Sequence, residues 1–136
     1  MKSRNKSLIR LKKFQVDEKR RHVTQIEMMI ADFERMAAEL DQQIEIEHQK
    51  TGISEIGHFA YSTFAKAAHG RRDNLLTSAA DMLGQLESAQ DALAEAVEDL
   101  KKVELLDQRE VARDAAEVAK HEQEEFDEIA RLRHAR

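Results

Sequence analysis

The chain has 136 residues, 36% of them charged and 4% aromatic, with four glycines and no proline, cysteine or tryptophan. That composition suits long helices and leaves little aromatic bulk to fill a wide interior, while the lack of cysteine excludes disulfides, thiolate catalysis and thiolate zinc sites. The net charge of −5 is unevenly spread: residues 1–22 hold nine Lys or Arg against Asp17 and Glu18, a balance of +7, and the remainder carries −12.

Overall acidity argues against general coating of nucleic acid. The basic arm can meet phosphate, lipid headgroups or an acidic protein, or lie as a solvated face beside an acidic second helix. No uncharged apolar run approaches the roughly 20 residues of a membrane span. Arg10 and Lys12 interrupt the apolar residues of Met1–Lys13, so the start lacks a signal-peptide core. A soluble protein of the reducing cytoplasm is expected, with no integral membrane segment.

The first predicted element is a helix over about 6–50. Ile9, Val16, Val23, Ile30, Ala37 and Ile44 recur at every seventh position, and Lys12, Lys19, Ile26, Phe33, Leu40 and Glu47 form the complementary row. Such a repeat makes a narrow seam that must be buried against another helix. The seam is apolar from Val23 to Ile44 and half polar before it, with Leu8, Leu11 and Phe14 lying off it as a second apolar patch.

A connection is predicted over 51–58, where Gly52 and Gly57 lower helix propensity and permit positive φ. A second helix is expected over about 59–133, with Ser62 as an N-cap and Gly70 as a weak point inside it. Its seven-residue rows read Leu76, Leu83, Gln90, Val97, Glu104, Val111, Val118, Glu125, Leu132 and Ala79, Leu86, Leu93, Leu100, Asp107, Asp114, His121, Glu128. The second row is apolar through Leu100 and then acidic. At 1.5 Å per residue the helices are about 65–70 Å and about 100 Å long. The expected fold is therefore all-α: two long helices in an antiparallel coiled-coil hairpin, a single domain over 1–136 whose second helix overhangs by its last 25 to 30 residues.

Sites for chemistry are scarce. Metal ligands on one helix face need a spacing of three or four, and no two histidines have it. Glu117, His121 and Glu125 do, but no second cluster completes a coordination sphere, and surface charge is the expected role. Di-metal bundles need Glu-x-x-His pairs on separate helices, and Glu18 to His22 misses by one residue. There is no phosphate-binding glycine loop. Catalytic, cofactor-binding and metal residues are all read as none. Phe59, Tyr61 and Phe64 crowd the bend, either sealing the end of the coil or forming a recognition patch.

The stretch from Lys102 to Arg109, followed by His121 to Ala130, resembles the flagellar export family called FliJ, in which a Leu-x-x-Arg step precedes an acidic segment ending in Asp-Glu-x-Ala. Here these are Leu106, Arg109, Asp127, Glu128 and Ala130. Tyr61-Ser-Thr-Phe64 is similar to the family's aromatic segment entering the second helix. The resemblance implies a non-enzymatic cytoplasmic part of the flagellar type III export apparatus, peripheral to the inner membrane at the flagellar base. Its coiled coil is similar to the central shaft of rotary ATPases, and its partners are the hexameric export ATPase, the cytoplasmic domain of the export-gate membrane protein, and export chaperones. By resemblance the gate face includes Tyr61, Phe64 and Ala68, although Ala68 stands where the family often has a larger aliphatic. Leu8, Leu11, Phe14 and Arg109 are the candidates for the ATPase contact. The rival readings are a generic coiled-coil scaffold whose overhang pairs with itself, and a membrane-surface or nucleic-acid binder working through residues 1–22.

Overall fold

The computed structural model describes residues 2–135, with side chains placed from Asn5 onward. Helix α1 runs Lys2–Thr51 and helix α2 runs Thr63–His134. They pack against each other as a hairpin, and there are no strands among the described residues. Contacts divide the chain into two compact units, 17–94 and 1–16 with 95–136.

The end of α1 follows from Gly52. It has φ of +71°, and its N–H donates to the carbonyl of His48 at 2.8 Å, which closes the last turn with a left-handed cap. Thr51 Oγ1 then accepts from the Ile53 N–H at 3.2 Å. The start of α2 is fixed by Ser62, as its sequence position predicts: its Oγ accepts from the Ala65 N–H at 3.2 Å. The connection occupies 52–62, longer than the predicted 51–58, and α2 begins at Thr63 rather than at 59. The backbone between is held in turns instead. His58 N–H donates to the Glu55 carbonyl at 3.1 Å and Tyr61 N–H to the His58 carbonyl at 3.0 Å. Gly70 lies within α2 without a break.

In the unit of residues 17–94, Val23, Ile26 and Ile30 of α1 form the core with Ala79, Met82 and Ala89 of α2. Phe33, Leu86 and Leu93 pack around them. The α1 seam is thus the one its repeat predicts. On α2 one predicted row is corrected. Leu76 and Leu83 are 45% and 56% exposed, and the inward row is displaced by one residue, to half-buried Leu75 and buried Met82, Ala89 and Ala96. The reason is steric. Small alanines opposite branched α1 side chains let the helices approach, whereas the two leucines are larger but sit on the flank.

The unit of 1–16 with 95–136 pairs a short stretch only. Val16 and Ala96 are buried, and Asn5 Nδ2 donates to Glu110 Oε2. Every described residue from Val111 to Ala135 is exposed. The paired stretch therefore ends just after the apolar row becomes acidic at Asp107.

Candidate functional site

At the connected end of the hairpin, residues from three segments meet. The Tyr61 hydroxyl lies 2.6 Å from His48 Nε2 at the end of α1 and 3.1 Å from His69 Nε2 in the second turn of α2. A phenol has one proton, so it donates to one imidazole and accepts from the other. Ser62, besides capping α2, donates to Glu47 Oε1 at 2.9 Å. These bonds tie the connection to both helices and place Phe64 on the first turn of α2, where it is 48% exposed. Tyr61 is half-buried, and Ala68 is fully buried. Of the three predicted gate residues, Phe64 offers its side chain outward, Tyr61 positions the end, and Ala68 sets helix spacing. Phe59 is 96% exposed and stacks on His58 with ring centroids 4.7 Å apart.

Phe64 shares its face with Arg71 and Ser78, which follow at seven-residue steps. Arg71 and Ser78 line an open groove of about 430 Å³ between the helices, with Leu75 beside them and Met36, Leu40 and Gln43 across it on α1. Arg72 binds across the hairpin on its own row: Nη1 donates to Asp41 Oδ1 at 2.9 Å, and Nη2 to Asp73 Oδ1 at 3.0 Å. The bond to Asp41 first, and that to Asp73 second, push the guanidinium pKa above its ordinary value. Arg72 therefore stays charged at every physiological pH.

Neither the groove nor the His48–Tyr61–His69 cluster is visible in local spacing. Both need the register of two helices, and the two histidines are 21 positions apart in the chain.

The other predicted residues lie in the second unit. Leu8, Leu11 and Phe14 are 40%, 50% and 54% exposed, while Ile9 and Val16 on the opposite side turn into the seam. Leu106 and Arg109 are exposed within the paired stretch. Asp127, Glu128 and Ala130 are exposed on the overhang, where Gln123 Nε2 donates to Asp127 Oδ1 at 3.0 Å and Arg131 bonds Glu128 at 2.5 Å. His121 Nε2 is 3.3 Å from Glu125 Oε1. Among the described residues no three His, Asp or Glu side chains converge as metal ligands. None of their helices is long and apolar enough to cross a membrane.

The family model described as Flagellar FliJ protein matches residues 1–136. The chain belongs to the FliJ family. Membership makes it a component of flagellar protein export, in a family that is non-enzymatic. No curated protein and no solved structure matches it. The exposed motif from Leu106 to Ala130 and the aromatic entry at Tyr61–Phe64 are the parts of this FliJ-family chain that carried the resemblance in its sequence.

Proposed function

We propose that the chain is a stalk of the flagellar export apparatus, joining the export ATPase hexamer to the export gate and escorting export chaperones. It works in the cytoplasm, peripheral to the inner membrane at the flagellar base, and it needs no cofactor. The observation that carries this reading is a helix with two apolar sides. One side of the α1 start is committed to the seam, and the other presents Leu8, Leu11 and Phe14 to solvent among cations. Contiguous exposed apolar residues of that kind mark an interaction site. With Arg109 they form the ATPase face. The gate face is the Tyr61, Phe64 and Ala68 segment, with Phe64 as the exposed contact, Tyr61 positioning it and buried Ala68 setting the helix spacing beneath it.

The test is reconstitution. The chain is expected to co-elute with the purified export ATPase and raise its activity. Leu11→Ala with Phe14→Ala should lose at least tenfold in that affinity while keeping helicity by circular dichroism. Phe64→Ala should weaken binding to the gate's cytoplasmic domain and leave the ATPase contact unchanged. A chain that neither co-elutes with the ATPase nor alters its turnover overturns the stalk reading. In cells, deletion should abolish export and motility.

A further inference from the structure

We propose that two copies of this chain form a two-fold dimer in which the basic arm of each lies along the acidic overhang of the other. The inference concerns the free protein and does not depend on the stalk reading, although it covers the same Leu8, Leu11 and Phe14. Two faces within one compact unit lead to it. The first is the outer side of the arm, where those three residues are exposed and where residues 5–16 carry Lys6, Arg10, Lys12 and Lys13 with no carboxylate. The second is the overhang. Val111, Val118, Phe126 and Ile129 are 41%, 58%, 71% and 55% exposed and follow a helical stripe. Residues 117–128 around it hold six carboxylates and one lysine.

The occupant follows from reach and sign. Within one chain, Asn5 is bonded to Glu110, and the acidic stretch begins at Glu117, about 10 Å farther along a continuous helix at 1.5 Å per residue. The arm's described side chains therefore lie alongside α2 up to Glu110 and not along the acidic stretch beyond it. Pairing overhang on overhang would set the acidic stretch against itself and is disfavoured. A second copy supplies a complementary surface at each end, and reversing its direction satisfies both contacts through one two-fold axis. Both contacts are short, which places the dimer among small transient interfaces below about 1,200 Å². Micromolar dissociation is expected, with strong screening by salt because the charges are exposed.

The experiment uses the full chain alone, by sedimentation equilibrium from 1 to 100 µM in low and high salt. Reversible dimerisation in about 50 mM NaCl, weakened at least tenfold in 500 mM, is the expected result. One variant carries Lys6→Glu, Arg10→Glu and Lys13→Glu, and the other carries Glu122→Lys, Glu124→Lys and Glu125→Lys. Each alone should be monomeric, and an equimolar mixture should regain a heterodimer. Circular dichroism checks that both remain helical, and the cysteine-free background gives a second measurement on near-native chains. Phe14→Cys mixed with Glu122→Cys should crosslink faster than either alone. A monomer at 100 µM, a dimer indifferent to salt, a mixture that fails to associate, or preferential Glu122→Cys self-crosslinking overturns the proposal. With no ATPase present, these outcomes are separate from failure of the stalk reading.

Discussion

Gly52 is the residue whose replacement has the clearest cost. Its φ of +71° is open to glycine and strained for any other residue at that cap, though a Cβ there would meet no neighbour within 4 Å. Gly52→Ala should therefore destabilise the hairpin by about 1–2 kcal/mol through backbone strain alone. Thermal unfolding followed by circular dichroism measures it, and an unchanged midpoint would contradict the cap. Tyr61→Phe removes the hydroxyl shared by His48 and His69 and keeps the ring. A loss of about 1–2 kcal/mol is expected for two partly exposed hydrogen bonds. Gly52 was readable from the sequence because a glycine after a periodic segment has one common meaning. Tyr61 was singled out there as an aromatic of the bend and, by resemblance, of the gate face, but not as a hydrogen-bonding centre, since its bonding partners belong to two other segments.

At the scale of the helices, the seam of α1 was legible and that of α2 only in part. Val16, Val23, Ile30 and Ile44 are branched aliphatics at one spacing, a pattern that admits a single face. On α2, Leu75 and Leu76 are adjacent, as are Met82 and Leu83, so size alone selects the wrong row. Ala89 and Ala96 decide the matter in the folded chain, because close approach rewards small residues that a hydrophobicity pattern undervalues. A pair of substitutions tests the register. Ile26→Ala, at a site 3% exposed, should cost about 2–4 kcal/mol. Leu83→Ala, at 56% exposure, should fall within about 0.5 kcal/mol of the parent. Equal losses in urea unfolding would mean that Leu83 is in the seam after all.

Across the molecule, the two units differ in what holds their helices. Residues 17–94 are paired helix on helix around a shared core, whereas 111–135 form helix with no covering surface. An isolated helix of that length is marginal in water, because the nucleation cost is offset only by backbone bonds and a few side-chain pairs. On the overhang those pairs are Gln123 with Asp127, His121 with Glu125, and Glu128 with Arg131. Pairs of this class contribute about 0.2–0.5 kcal/mol each, far less than a buried seam. Amide exchange should therefore be fastest over 111–135 and slowest around Ile26, Ile30, Met82 and Ala89, with protection factors differing by at least about 100-fold. Adding a partner that covers the overhang should slow exchange there and leave the seam unchanged. The sequence already hinted at this division, since its apolar row turns acidic near Asp107. It could not say that the acidic segment stays helical without a partner, and uniform protection along α2 in the monomer would show that something else covers it.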